Sequence, residues 1–515
     1  MTALGLDLVE AAKVAKSETY GEWYRDPWGW PELSAEFVSS LEVGQLGEVR
    51  SGPTPLRLSP AFHPFAFPKS FFGVRPAVVF DAPSRLLYTA SSLRLSRDLH
   101  RELPPWVFGW RFRDGALASN EWAEYATSQE DIGRSAFAAQ TDLNSFFATV
   151  DNTRLAERLV ELASRSASTE IVRQVLEAHD QLAGRSGLPQ RSLASSLLAH
   201  IAVEGIDDLL DTRLRDGALQ SVRRWMDDIS FEGTESALYS TLLELQERGR
   251  QVGLEINASK TIVSTGQEVS DRLGRERQRL IRVPRLEQTI RDDYADLFDT
   301  FIDGSDLAEA ESRVLADPKN ATRTEAGLVL RSLRHYGAFN RVSAWLNAAR
   351  YLPHAADHLS RFAVQASQES ILEPDTALWF EGLQADGWPH LPWVRAQHSL
   401  AVSSESATNN VTRTWKEWLE NSDSLQQVAT ATQRLTRAPS ADIRSAITGR
   451  IDRTTDPLVV RALALGLVDA GGDRRIVRSA LERHPSNRLT LLFLDGSGWT
   501  LPSVSDDFDP SVHGE

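Results

Sequence analysis

The stretch Ser221-Val-Arg-Arg-Trp225-Met226-Asp227-Asp228-Ile229-Ser-Phe231 sets two adjacent acids between short runs of apolar and aromatic residues. That pattern predicts a strand, a tight turn and a second strand. Side chains alternate faces along a strand, so adjacent acids normally point apart. At a hairpin turn both can still approach one metal-holding corner. An isolated Asp-Asp pair is better explained as an exposed Asx turn, so the segments around it have to decide.

Upstream, Gln140-Thr-Asp142-Leu-Asn-Ser-Phe146-Phe147-Ala-Thr-Val150-Asp151 ends a short strand on an acid, with a double aromatic four and five residues later. Between the two lies Gly187-Leu-Pro189-Gln190-Arg191-Ser-Leu-Ala-Ser-Ser, and downstream lies Gly253-Leu-Glu-Ile-Asn257-Ala-Ser-Lys260-Thr261. Strand signals at Ala77–Phe80 and Ile256–Val263 interleave with helical spacing at Thr153–Leu162 and Ser236–Arg248. Such alternation indicates an α+β domain.

In this order and at this spacing the segments resemble the palm motifs of reverse transcriptases. Thr141-Asp142-Leu-Asn-Ser-Phe-Phe resembles motif A, and Gly187-Leu-Pro-Gln the start of motif B. Trp225-Met-Asp-Asp resembles the aromatic-x-Asp-Asp of motif C, and Gly253–Thr261 motif D. Gly73-Val-Arg75-Pro76 and Pro83-Ser-Arg85 are similar to the fingers segment ahead of the palm. The resemblance covers roughly residues 65–265 and implies nucleotidyl transfer with two Mg²⁺ ions. It makes Asp142 and Asp227 the metal ligands, with Asp228 as a third acid and the Leu143 carbonyl as a further ligand. Mg²⁺ prefers such oxygen donors.

The resemblance assigns Arg75 and Arg85 to the incoming triphosphate, although surface salt bridges suit either arginine as well. Phe147 stands where the family walls off the ribose 2′-hydroxyl, which implies deoxynucleotides; one of Phe146 and Phe147 must be core. Gln190 would line the nucleotide pocket. Lys260 would protonate the leaving pyrophosphate, or else form a structural salt bridge. The chain also departs from the pattern. Arg191 replaces the glycine that follows the glutamine, Ser195-Ser196 replaces Ser-Pro, and Trp225 replaces Tyr or Phe. No primer-grip motif follows Thr261. Arg191 therefore becomes a candidate template or product contact, and conventional template handling is in question.

The remaining sequence narrows the choice. The chain has 515 residues, 41% of them hydrophobic, with no cysteine and a net charge of −15. The missing cysteines exclude disulfides, thiolate nucleophiles and sulfur-bound zinc. The acidic balance argues against a nucleic-acid coat protein. Residues 61–290 are nearly neutral, with 31 acids against 28 bases, almost all of the bases arginine. No apolar run suits a membrane span and the N-terminus lacks a secretory pattern. We expect a soluble, cytoplasmic, multidomain protein.

Residues 1–60 form an N-terminal extension rich in aromatics and turns, centred on Tyr20-Gly-Glu-Trp23-Tyr24-Arg-Asp-Pro-Trp28-Gly-Trp30-Pro31. Residues 61–290 are read as fingers and palm, 291–500 as an α-helical array and 501–515 as a loose tail. Helical stretches at Thr324–His335, Arg341–Tyr351, Ala355–Gln368, Ala441–Arg450 and Asp456–Asp469 show no strict repeat. A HEAT-like stack is expected, with a non-repeating bundle as the alternative. In the last stretch Asp456 suits a cap, Pro457 the first helical position, and Val459, Leu463 and Leu467 share a face.

The full layout, an α+β right-hand polymerase domain followed by an all-α HEAT-like domain, resembles bacterial abortive-infection reverse transcriptases. That resemblance implies phage defence, homo-oligomers, and untemplated DNA synthesis from dNTPs. The single-stranded DNA product would stay covalently attached to a priming tyrosine. Tyr20 and Tyr24 are the candidate primers, although both also suit packing against tryptophans. Tyr88, Tyr125 and Tyr239 remain open. Two alternatives stand beside this reading. One is an RNA-templated, retron-like or group-II-like enzyme that binds RNA. The other is an inactive polymerase scaffold whose helical array binds a partner.

Overall fold

The computed structural model describes residues 4–21, 23–49, 56–118, 121–130, 132, 136–269, 271, 280–284, 298–369, 375–385 and 391–502. The 503–515 part of the expected loose tail lies outside the described residues. A first helix, α1 (Leu8–Gly21), leads into the turn-rich aromatic segment. There Gly29 and Trp30 both take left-handed φ, 65° and 50°. The fingers begin with a hairpin of β1 (Phe62–Pro68) and β2 (Val74–Phe80), paired from Phe62↔Phe80 to Pro68↔Val74. The long helix α2 (Ala82–Leu99) follows, its N-terminus capped by Asp81, whose carboxylate accepts from Ser84 N at 2.9 Å.

The palm is a mixed sheet of five strands. It contains β3 (Val107–Phe108), β4 (Phe137–Asp142), β5 (Leu219–Trp225), β6 (Asp228–Gly233) and β7 (Ile262–Thr265), in the order β7-β4-β6-β5-β3. Only the β3–β5 pairing among these is parallel. Helices α3 (Asn152–Ala163), α4 (Ala167–Asp180), α5 (Leu193–Ala202), α6 (Glu204–Arg215) and α7 (Glu235–Gln251) surround the sheet. Of these, α7 packs on β4 and β6 and α6 on β5, while α4 and α5 pack on α2. The predicted helices at 153–162 and 236–248 fall inside α3 and α7. The predicted strand at 256–263 begins only at Ile262; Ile256 makes an isolated bridge to Leu143.

A two-stranded ribbon, β8 (Leu280–Pro284) with β9 (Phe298–Ile302), precedes the helical region. That region holds α8 (Gly304–Ala316), α9 (Arg323–His335), α10 (Val342–Ala348), α11 (Ala356–Gln368), α12 (Thr376–Ala385) and α13 (Pro392–Ser399). It continues with α14 (Asn409–Asn421), α15 (Leu425–Thr436), α16 (Ala441–Arg453), α17 (Pro457–Asp469), α18 (Arg474–Glu482) and α19 (Arg488–Gly496). Helices contact their next-but-one neighbours and so form rows. One row runs α9-α11-α13-α15-α17; a second runs α12-α14-α16-α18, with α8 beside α10. Among the described residues no helix is long and apolar enough to cross a membrane.

The first sixty residues are a seam, not an appendage. One apolar core runs from Leu6 through the palm to Leu494. A second occupies Ile302–Ala401. A small cluster of Trp23, Phe67, Ala77, Ala356, Trp393 and Val394 joins the N-terminal segment, fingers and array. Asp456 does cap α17, accepting from Leu458 N and Val459 N, and Val459, Leu463 and Leu467 are buried. The helix differs from a one-faced element, however, because every residue from Leu458 to Leu467 is buried.

Arg461 lies inside that buried run. Its Nε donates to Glu32 Oε1 at 2.6 Å and its Nη2 to Glu32 Oε2 at 3.0 Å. Nη1 and Nη2 donate to the two Asp26 oxygens at 2.9 and 3.1 Å. The guanidinium also lies 4.0 Å from the Trp30 ring centroid. Nearby, Arg25 and Gln426 exchange two hydrogen bonds, and His63 bridges β1 to the array through Asp456 Oδ2 at 2.7 Å and Leu425 N at 3.1 Å. Burial would raise the Glu32 carboxyl, but the Arg461 charge and hydrogen bonds hold it below its ordinary 4.5. Its stabilising contribution is therefore complete above that value and is lost as pH falls through the lower, folded one. Replacing Arg461 by Met strands two buried carboxylates and is expected to cost about 3–5 kcal/mol in urea unfolding at neutral pH. The gap between variant and parent should narrow on acidification, as the stranded carboxylates take up protons.

Candidate active site

The hairpin is formed as the sequence predicts. Trp225 pairs with Asp228, leaving Met226-Asp227 as the two-residue turn, and Asp228 lies in register with Asp142 on β4. Three acids therefore converge at the ends of adjacent strands. Met226 adopts a left-handed φ of 52°. The Leu143 N–H donates to Asp227 O at 3.2 Å, and the Leu143 side chain is buried. The Asn257 N–H donates to Asp142 O at 2.8 Å, and the Thr141 and Thr261 hydroxyls meet at 2.8 Å. The segment around Lys260 thus supports the acid of β4 from behind.

The electrostatics of this corner favour a cation. Asp142 is buried; its Oδ2 accepts from Lys260 Nζ, while its Oδ1 has no hydrogen-bond partner. Burial and then the Asp142 charge raise the Asp227 carboxyl, against the pull of Lys260 and Arg75. Partial loss of water around Asp228, which stays solvent-exposed, and then the Asp227 charge push its carboxyl up to about 6. The Asp142 hydrogen bond raises the Lys260 ammonium. Among the described residues, no three His, Asp or Glu side chains are gathered at ligating distance. The donors are nevertheless the hard oxygens that Mg²⁺ takes, one buried oxygen is unsatisfied, and an ammonium already neutralises the corner. The residues fit the metal in kind, and the carboxylates would have to close on it.

The other site residues fall into two groups. Arg75 is exposed on β2, and its charge reaches Asp227. Arg85 is buried on α2, with its guanidinium 5.0 Å from the Trp30 ring centroid. It lines a crevice with Gln190, Arg191, Tyr24 and Glu18. Trp23 links the groups: Arg75 and Arg191 approach its ring centroid at 5.8 and 5.5 Å, and the ring stacks on Phe67 at 4.1 Å. Arg191 keeps the conformation of a glycine, with φ 62°, at a cost of about 1–2 kcal/mol for a side chain there. Gly187 has φ 69°, and a Cβ on it would lie 2.1 Å from Phe147 O. Phe146 is the core aromatic and Phe147 is only partly buried.

Tyr24 takes the packing position that the sequence also allowed for it. It is buried, edge-on to Trp30 at 6.1 Å, with its hydroxyl donating to Asp26 at 3.4 Å. It is a packing residue, enclosed in this conformation. The Tyr20 side chain lies outside the described residues, although its backbone belongs to α1. Tyr88 is buried against Ser195 Oγ at 3.1 Å, and Tyr239 is exposed. Tyr125 stands 5.5 Å from the Trp225 ring, within the field of Asp228.

Sequence reasoning passed over Lys69, at the tip of the β1–β2 hairpin. After burial, the charges of Arg75 and Lys260 lower its ammonium, so the three cations lie within one another's fields. The signal was available: Lys69 and Lys260 are the only lysines in residues 61–290.

Residues 68–280 match the family model described as reverse transcriptase (RNA-dependent DNA polymerase). No curated protein matches the chain. Among solved structures, a telomerase from Candida albicans with a fragment of telomeric RNA is 11% identical, covering 77% of this chain and 68% of that one, at a TM-score of 0.31. The family match and the palm hairpin agree on the same residues: the chain carries a reverse transcriptase domain of the nucleotidyltransferase type, followed by a largely helical region.

Proposed function

We propose that the protein is a Mg²⁺-dependent DNA polymerase of the abortive-infection type, protein-primed, untemplated and acting in antiphage defence. The observation that carries the catalytic part is the register of Asp142 with Asp228, beside Asp227 on the turn. Asp142 and Asp227, with Asp228 and the Leu143 carbonyl beside them, would hold the metal, which supplies charge neutralisation and Lewis acidity. In the reaction a hydroxyl oxygen bonds to the α-phosphorus of a dNTP and loses its proton. The bond to pyrophosphate breaks.

Arg75 and Lys69 suit the triphosphate, and Lys260 can give pyrophosphate a proton once it leaves Asp142. Gln190 and Arg85 suit the nucleotide, and Phe147 the exclusion of a 2′-hydroxyl. The strained Arg191, set against Trp23, stands where a template strand would need close approach to the backbone, which supports untemplated synthesis. We read the two rows of helices as HEAT-like and the active form as a homo-oligomer. Tyr20 is the preferred primer, with Tyr125 and Tyr239 next. The templated, RNA-binding alternative keeps the same catalytic corner; the scaffold alternative does not use it.

Purified protein with Mg²⁺ and labelled dNTPs, but no template or primer, is expected to give label that runs with the protein on a denaturing gel. Nuclease should remove that label, and Asp227→Asn should abolish it. Synthesis only with added RNA would replace this reading by the templated one, and silence under both conditions by the scaffold. A second measurement compares deoxynucleotide and ribonucleotide incorporation: Phe147→Ala should narrow the preference for deoxynucleotides by at least about tenfold.

A further inference from the structure

We propose that Arg224 is a positioning residue that fixes the carboxylate-bearing turn, a role that rests on the polymerase reading above. Arg224 lies on β5 two residues before Met226 and is fully buried. Its Nη1 donates to the Met226 carbonyl at 2.8 Å. That carbonyl belongs to the peptide plane joining Met226 to Asp227, so rotating the plane would swing the Asp227 carboxylate.

The guanidinium is itself held on every nitrogen. Nε and Nη2 donate to the two oxygens of Asp207, on α6, at 2.7 and 2.6 Å. Nη2 also reaches His200 Nδ1 on α5 at 3.3 Å, while His200 Nε2 donates to Trp110 O at 3.0 Å. The ring nitrogen facing Arg224 is thereby the acceptor. The backbone of Arg224 is fixed too, its N–H donating to Trp106 O at 3.1 Å. A planar fork gripped this way leaves one N–H with a single direction, toward the turn.

The turn needs such a hold. Met226 is a non-glycine residue at φ 52°, a conformation that costs about 1–2 kcal/mol. At the side chain, a Cβ on Gly109 would lie 2.7 Å from Met226 Sδ. The turn is thus pinned by close packing at the Met226 side chain and by charge-assisted hydrogen bonding at its carbonyl. A buried Arg–Asp pair is seldom more stable than apolar packing of the same volume. What apolar packing cannot supply is a donor aimed at one carbonyl.

The test replaces the pair in the full-length protein by Arg224→Met/Asp207→Leu, alongside Arg224→Lys and Asp207→Asn. Three quantities are measured: the melting midpoint, amide hydrogen exchange of the peptide covering residues 222–231, and kcat and KM for dNTP. The expected result is a double variant that melts close to the parent, exchanges faster at the turn and loses about 10–100-fold in kcat. Nucleotide KM should stay within about threefold. Arg224→Lys, keeping one donor for Met226 O, should recover part of kcat. A folded double variant with parental exchange and parental kcat overturns the proposal and leaves the polymerase reading intact. Should the parent incorporate no nucleotide, the polymerase reading fails and hydrogen exchange alone decides whether Arg224 holds the turn. Should the double variant not fold, Asp207→Asn, which loosens the fork at nearly constant volume, decides by the same two readouts.

Discussion

Arg461 bound between Asp26 and Glu32 is the constraint on which the arrangement of this chain depends. Arg461, Asp26 and Glu32 are tolerable in a buried seam because each compensates the cost of burying the others, and the Lys16 ammonium lies within the field of all three. Meeting that condition brings a residue of α17 against the N-terminal segment and turns the aromatic stretch 23–33 into the filling between fingers and array. Trp30 is approached by both Arg461 and Arg85, and Trp23 by Phe67 and the two cleft arginines. The cleft wall is therefore built from the seam.

The palm follows a more local logic. A two-residue turn and an antiparallel register suffice to bring Asp142, Asp227 and Asp228 to the same end of the sheet. The surrounding elements then supply countercharge: Lys260 hydrogen-bonds Asp142, and Arg75 reaches Asp227 from the fingers hairpin. Asp142 keeps one buried oxygen unsatisfied, so the corner is arranged around a charge that the side chains alone only partly balance.

How much of this could be read from the sequence depended on the range of the interaction. The hairpin at 225–228, the cap at Asp456 and the helices after residue 300 are set by neighbours in the chain, and each was legible. At least one of Phe146 and Phe147 had to be core, and only packing could show that it is Phe146, with Phe147 partly buried beside it. For Tyr24 the sequence left both priming and packing open, because nothing local reveals that Asp26 beside it is the partner of an arginine 435 residues away. The face drawn on α17 was real, yet the helix is buried all round; a pattern of apolar residues says which side must be covered, not that the other side is wet. Arg224 reads in sequence as one of two adjacent arginines in a strand, and its inward direction follows only from the partners waiting on α5 and α6.

The span of the Arg461 seam has a consequence in time as well as in space. Asp26 and Glu32 leave the ribosome 435 and 429 residues before the cation that compensates them. At roughly 5–20 residues per second, that interval is on the order of twenty seconds to more than a minute. During it both carboxylates must stay hydrated, and the aromatic segment cannot settle into its final place. The seam is consequently closed late, when α17 has emerged, and a chain interrupted before Arg461 lacks the guanidinium that bridges Asp26 and Glu32.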